Sequence, residues 1–588
     1  SLRACAGEYR DAVELAEYTI NNQKDYILEE LYKRKPDVLC FSCYIWNIDY
    51  VTDIAREYKK LCPSVPIWVG GPEVSYEVEA FLRENPYIDG VMIGEGEDTF
   101  RELCGYYAHK RKLSDIAGIA FRKNSTGNST SVNNIGGNKA GEIVFTSPRP
   151  IKNMSEIPFC YDTLDDFSNR IIYYESSRGC PFSCSYCLSS VDKTLRFRDT
   201  RIVKRELKFF IDQKVPQIKF VDRTFNCNHA HAMELWRFIK ANDNGVTNFH
   251  FEISADLLNQ EELELISDMR PGLIQLEIGV QSTNEVTIKE IHRTMKLERL
   301  KEVVKLIQSG NNIHEHLDLI AGLPYEDYDS FGRSFDEIYE LKPNQLQLGF
   351  LKVLKGSYMF EHAAEYGIVY HDKPPYEVMS TKWLSFDDVI KIKRVEDMLE
   401  VYYNSGQFEI TMKLMECIFD SAFEFFQELG DFYEANGYFG MSHSRIRRCE
   451  ILLEFLALYL HGCDNDDMTS VGLSENDGDR DNTDFDENAI DRYNTDFDEN
   501  AQIYSMIQES LIFDLYYREN CKSRPRWATD IGSFKHMTHA YCKNGKLSHV
   551  EPFHYIFPDK HTRKLEKMPK YHKEPVWALF HYDMRDPL

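Results

Sequence analysis

The stretch "RGCPFSCSYC", residues 178–187, decides how the rest of this 588-residue chain reads. It puts Cys180, Cys184 and Cys187 in one loop, with the aromatic Tyr186 just before the last thiol. Among the common metals, thiolates select zinc or iron–sulfur clusters. A structural zinc site takes four protein ligands, and this loop stops at three. The nearby candidates for a fourth are Cys227 and His229, which lie on a different loop. A four-iron cluster on three cysteines leaves one iron open, and an open iron can chelate an amino acid through its amine and carboxylate.

The loop follows directly on "RIIYYESS" (170–177), which reads as a strand. Five more apolar or alternating runs come after it: "PQIKFVD", "NFHFEIS", "LIQLEIGVQS", "IHEHLDLIAG" and "QLQLGFLKV". Helical periodicity separates them. Six such units predict a partial (β/α)6 barrel over 169–375, a fold that carries its active groups on the loops after the strands.

Upstream, residues 1–120 predict a Rossmann-like domain, with "DVLCFSCYIW" (37–46), "VPIWVGGPE" (65–73) and the start of "IDGVMIGEGEDTFRELCGYY" (88–107) as buried parallel strands. Each turns through small residues into a helix, the pattern of an open sheet whose ligands sit beyond the strand ends. A helix is expected at 1–17. The Asn/Ser/Gly-rich stretch 123–141 reads as a loop within a connecting segment, 121–168.

Beyond 376 the apolar spacing predicts a mostly helical extension to 588, closed by a small basic and aromatic part containing strands. Within it, 464–500 is acidic, repeats "NTDFDENA" at 482–489 and 494–501, and reads as disordered. Its aspartates hint at a calcium loop without completing the EF-hand pattern. The net charge of -26 speaks against a nucleic-acid partner. No apolar run spans a bilayer, the N-terminus lacks a secretory signal, and the chain reads as cytoplasmic with reduced thiols. Cys417, Cys449 and Cys463 read as core thiols in helices.

"CPFSCSYC" resembles the C-x3-C-x-aromatic-C signature of the radical S-adenosylmethionine (SAM) superfamily. The resemblance implies that Cys180, Cys184 and Cys187 hold a [4Fe-4S] cluster and that SAM, chelated at the open iron, is cleaved reductively to a 5′-deoxyadenosyl radical. It implies further cofactor contacts. Asp222 in "FVDRTFN" is expected to face the barrel mouth, and Glu252 in "FEIS" to contact SAM. Glu277 and Gln281 in "LEIGVQS" are expected polar contacts, and Gly322 with Pro324 in "LIAGLP" the shape of the adenine side. Tyr186 belongs to the same set.

The N-terminal domain resembles the cobalamin-binding domain that precedes such barrels. On that resemblance Ser42, the pair Gly70 and Gly71, and Gly94 with Gly96 form the turns around the nucleotide tail, the glycines allowing close backbone approach. A first strand is apparently missing, and no D-x-H-x-x-G motif supplies a histidine ligand to cobalt. The implied function is cobalamin-dependent methylation of an unactivated carbon. Its alternatives are a radical rearrangement or cyclisation and a non-catalytic cobalamin or cluster sensor. The implied partners are an unidentified substrate and an electron donor such as flavodoxin or ferredoxin.

Overall fold

A computed structural model describes the chain apart from residues 124–140, 461–498, 533–547 and 582–588 and single positions or pairs near 162–169, 192, 519–530 and 559–566. The loop expected at 123–141 and nearly all of the acidic stretch, Cys463 included, lie outside the described residues. The chain packs as two compact units. The first takes 1–315, 322–326 and 349–385; the second takes 316–321, 327–348 and 386–588.

The first unit opens with a five-stranded sheet in the order β1 (Leu39–Ser42), β2 (Ile67–Gly70), β3 (Gly90–Met92), β4 (Ile119–Lys123) and β5 (Glu142–Phe145). β1, β2 and β3 pair in parallel, and β4 and β5 complete the sheet antiparallel. The strands are short and apolar because both faces are covered. Helix Ile48–Leu61 buries Ile48, Val51, Ile54, Ala55 and Tyr58, which is one face at helical spacing, and stops ahead of Pro63. At the N-terminus the expected long helix is only the turn Leu2–Cys5 followed by a 3-10 stretch, Gly7–Ala12. Gly7, at φ +58, interrupts the α-helix between them.

The second sheet has six strands in chain order: β6 (Ile172–Tyr174), β9 (Gln217–Phe220), β10 (Asn248–Ile253), β11 (Ile274–Gln281), β12 (His314–Ala321) and β13 (Gln345–Phe350). Two short strands, β7 (Ser177–Arg178) and β8 (Arg196–Phe197), pair antiparallel at the two ends of the cysteine loop. β6, β9, β10 and β11 pair in parallel. Along β11 Ile274, Leu276, Ile278 and Val280 are buried while Gln275, Glu277, Gly279 and Gln281 alternate with them half-buried. One face of β11 is thus buried in the core, and the polar face is left for the inside of the sheet.

The second unit is mainly helical over Phe386–Met398, Glu409–Met415, Ala422–Ala435, Arg445–Leu460 and Glu499–Arg518, then ends in an antiparallel hairpin, Ser548–Tyr555 with Tyr571–His581. Two expectations change here. Glu499 and Asn500 start a helix, with the acidic Glu499 suited to its first turn. Cys417 is exposed, past the end of helix Glu409–Met415, whereas Cys449 is buried. Among the described residues no helix is long and apolar enough to cross a membrane.

Candidate functional site

The cysteine loop is held from several sides. Ser185 donates its backbone N–H to Ile291 (2.9 Å) and accepts from the N–H of Met359 (2.9 Å). At its start Gly179 has φ +87, and a Cβ there would lie 2.5 Å from the Thr194 carbonyl oxygen, so only glycine fits. Cys180 and Cys184 are buried and Cys187 is half-buried. Burial, with the other two thiols nearby, pushes the Cys180 thiol up, and Thr224 Oγ1 lies 3.9 Å from its sulfur.

Arg293, absent from the sequence reading, reaches this loop from the segment after β11. Its Nη1 is 3.8 Å from Cys184 Sγ and 3.2 Å from the Tyr186 hydroxyl, and its Nη2 donates to the Gly279 carbonyl. Its Nε is buried without a partner among the described residues. A lone arginine in a loop carries no periodicity that would mark it; only the three-dimensional approach of β11 to the cysteine loop reveals it. Three clustered thiols beside a fixed guanidinium suit an iron–sulfur cluster, since a neighbouring cation favours the thiolate form that metals require. Of the two candidates for a fourth ligand, His229 has Nδ1 on Glu262 at 3.0 Å, and burial, with Cys180 nearby, pushes Cys227 up to about 11.

Asp222 departs from expectation. It is completely buried and accepts hydrogen bonds from Ser176 N (2.7 Å), Ser176 Oγ (2.6 Å) and Ser177 Oγ (2.7 Å). Its lone pairs are used to tie the end of β9 to the strand leading into the cysteines, so it supports the loop from below. Burial pushes its carboxyl up to about 6 despite these bonds.

Glu252 and Glu277 sit opposite each other on β10 and β11, with opposite fates. Glu277 accepts from Lys219 Nζ (2.9 Å) and His250 Nε2 (2.8 Å), which hold it down at about 2 against the effect of burial. Glu252 has no hydrogen bond from another described residue, and burial followed by the Glu277 charge lifts it to about 7. Gln281 ends β11 with φ +77, and its Oε1 is buried without a partner. A free carboxylate and a free amide oxygen at neighbouring strand ends suit a ligand rich in donors, such as SAM with its ammonium and ribose hydroxyls. At Gly322 φ is +85 and the space a Cβ would take is filled by Val378, whose Cγ1 would lie 2.6 Å away. Pro324 contributes its carbonyl to Thr287 Oγ1 at 3.0 Å.

In the N-terminal domain the expected residues lie at the ends of three adjacent parallel strands. Ser42 is exposed at the end of β1. Beside it Tyr44 and Trp46 stack in parallel, 4.5 Å between centroids, and both are exposed. Gly71 has φ +119, and a Cβ would come within 2.4 Å of the Cys43 carbonyl oxygen. Gly70 and Gly96 face Met92 and Leu2 at 3.3 and 3.1 Å. Gly94 differs from all of these: φ is +76 and nothing lies within 4 Å of where its Cβ would be. That open space next to a strand end, on the same edge of the parallel sheet as the exposed Ser42, suits a large ligand lying across the turns.

Residues 1–104 match the B12 binding domain, residues 174–338 the radical SAM superfamily, and residues 364–585 a family described as protein of unknown function (DUF4080). The chain is 29% identical over 331 residues to the cobalamin-dependent radical SAM methyltransferase TokK of Streptomyces tokunonensis, covering 52% of this chain and 45% of TokK. It is 22% identical over 355 residues to the anaerobic magnesium-protoporphyrin IX monomethyl ester cyclase of Rubrivivax gelatinosus, covering 58% and 60%. It therefore spans about half the length of these relatives. In fold it resembles the cobalamin-dependent SAM radical enzyme OxsB with aqua-cobalamin and SAM bound, at 16% identity and a TM-score of 0.55, over 88% of this chain and 77% of that one. The cofactors that go with these domains are a [4Fe-4S] cluster, SAM and cobalamin. The chain thus carries a match to the B12 binding domain, residues 1–104, ahead of a match to the radical SAM superfamily, residues 174–338.

Proposed function

We propose that the protein methylates an unactivated carbon of its substrate in a cobalamin-dependent radical SAM reaction. The observation that carries this reading is the three-thiol loop with Arg293 at Cys184, held in the same compact unit as a domain whose Gly94 turn opens onto free space. When bound, the cluster supplies the electron that breaks the SAM sulfonium bond, and cobalamin supplies the carrier for a methyl group.

The chain's own residues bind and orient. Cys180, Cys184 and Cys187 are the cluster ligands in this reading. Arg293, fixed by the Tyr186 hydroxyl and the Gly279 carbonyl, presents positive charge to the SAM carboxylate. Glu252 and the free Gln281 Oε1 accept hydrogen bonds from the SAM amine N–H and ribose hydroxyls. Glu277 is occupied with Lys219 and His250 and shapes the wall. Ser42 and Gly94 border the cobalamin site. A flavodoxin- or ferredoxin-type protein delivers the electron.

The similarity to the cyclase supports a second reading, radical ring formation without methyl transfer. Anaerobic reconstitution with iron, sulfide and hydroxocobalamin, followed by removal of excess, tests the first. Near-stoichiometric cobalamin beside a four-iron cluster, with 5′-deoxyadenosine formed from SAM, is the expected result. A cluster that cleaves SAM in protein that retains no cobalamin overturns methylation and leaves the second reading.

A further inference from the structure

A lattice of ion pairs runs between the cysteine loop and the third glycine turn of the N-terminal domain. Arg178, two residues before Cys180, places Nη2 2.6 Å from Glu97 Oε1, Nη1 3.3 Å from Glu95 Oε1 and Nε 2.9 Å from both Glu175 oxygens. Its cross-strand neighbour Arg196 donates to Glu95 Oε1 (2.6 Å) and to the Lys152 carbonyl (3.0 Å). Lys152 completes the lattice, its N–H on Glu95 Oε2 (3.0 Å) and its Nζ on Asp98 (2.7 Å). Glu95 and Glu97 flank Gly96 at the start of helix Gly96–Tyr107, one residue beyond the open Gly94 turn.

These side chains are largely shielded, Arg178 19% and Glu97 5% exposed. Shielding strengthens their attraction, and loss of Arg178 would leave the shielded Glu97 charge without its guanidinium partner. Arg178 is held on three sides by a rigid fork, which fixes direction as well as distance. Ion pairs that merely glue two domains have no need to end on functional turns. These end beside Cys180 on one side and Gly94 on the other.

We propose that Glu95, Glu97, Arg178 and Arg196 are positioning residues that set the interval and orientation between the thiol loop and the Gly94 turn, and so between the cluster and the corrin. This rests on the cobalamin-dependent reading, because radical chemistry shared between two cofactors tolerates little misplacement.

The test uses full-length protein reconstituted with iron, sulfide and hydroxocobalamin, as wild type, Arg178→Lys and Glu97→Gln. Arg178→Lys keeps the charge and loses the fork. After reduction to cob(II)alamin and the [4Fe-4S]+ cluster both centres are paramagnetic, and pulsed EPR reads the distance between them. The wild type is expected to give one narrow distance distribution, and both variants, at unchanged iron and cobalamin content, a broadened and shifted one. Glu97→Asp, which keeps the charge, should fall between. An unchanged distribution in Arg178→Lys overturns the proposal. Wild-type protein that takes up no cobalamin overturns the functional reading instead, and calorimetry of the cluster-loaded protein then judges the lattice. A single transition for the first unit that splits in two in Glu97→Gln supports the lattice, and no splitting overturns it.

Discussion

The cysteine loop and the glycine turns of the N-terminal domain are both loops at the ends of parallel strands, yet they keep their shape by different means. The cysteine loop is pinned from outside, by Ile291 and Met359 through hydrogen bonds to Ser185 and by Arg293 at Cys184. The turn after β2 is pinned from within, Gly71 pressing its backbone onto the Cys43 carbonyl where any side chain would collide. A thiol can therefore be deleted with its loop left standing, whereas the turn cannot lose Gly71 and keep its path. One loop separates chemistry from fold, and the other does not.

The strongest way to break that contrast is Cys184→Ala. Iron and sulfide content and SAM cleavage should fall to background, while far-UV circular dichroism from the helical second unit stays as in the wild type. SAM cleavage by this variant would remove the cluster assignment. Gly71→Ala should act in reverse, costing about 3 kcal/mol through strain and overlap, lowering the melting temperature and emptying the N-terminal domain of cobalamin while the cluster remains. Gly94→Ala separates the two kinds of glycine: at φ +76 with open space, it costs only about 1–2 kcal/mol from backbone strain. A loss of cobalamin larger than that of stability would identify Gly94 as part of the cradle, and full retention would make it a turn residue alone.

The thiol side has its own contrast, between the two facing carboxylates. Glu277 is ionised with partners in place, so SAM affinity should not follow its titration. Glu252 lies near 7, with Arg223 and Lys219 as the nearby cations, and in the proposed site it also accepts hydrogen bonds from SAM. Deprotonation favours those bonds, so affinity measured by equilibrium dialysis on cluster-loaded protein should rise by about tenfold from pH 6 to pH 8. Glu252→Gln should flatten the profile. A rise that persists in the variant would assign the titration to another group.

Asp222 gives an effect of opposite sign, in stability. Its folded value of about 6 lies above the unfolded value of about 3.9. The folded state therefore binds the extra proton between these values, and the stability from this group falls as pH rises from about 4 to about 6, then stays level. The total is roughly 2–3 kcal/mol. Denaturant titrations of Asp222→Asn should lack this slope.

The sequence made the strand and helix order readable because apolar alternation is a local signal, as β11 shows by burying every second residue. It made the thiols readable because a metal site crowds rare residues into a few positions. It left Arg293 and the Arg178 lattice unread, since both depend on which segments meet across more than eighty positions of chain. It misplaced Asp222 for a related reason. A carboxylate at a strand end looks the same in one dimension whether it faces a ligand or two serines beneath a loop. Gly322 likewise gave no sign that Val378 would fill the space beside it.

The smallest effect expected is from removing residues 461–498 and joining the flanking helices with a short Gly/Ser link. Arg445–Leu460 and Glu499–Arg518 already meet at this point, since the Asn500 side chain donates to the Leu460 carbonyl at 2.7 Å. The segment thus leaves and returns to one place, and shortening such a closure gains only about 1–2 kcal/mol of chain entropy. The deletion should leave iron, cobalamin and SAM cleavage unchanged and raise the melting temperature by a few degrees at most. A large loss of cluster would mean that this acidic segment contributes contacts to the radical SAM domain. The thiol loop would then owe its position to that segment as well as to Ser185, Arg293 and Asp222, and the contrast with the self-supporting glycine turns would narrow accordingly.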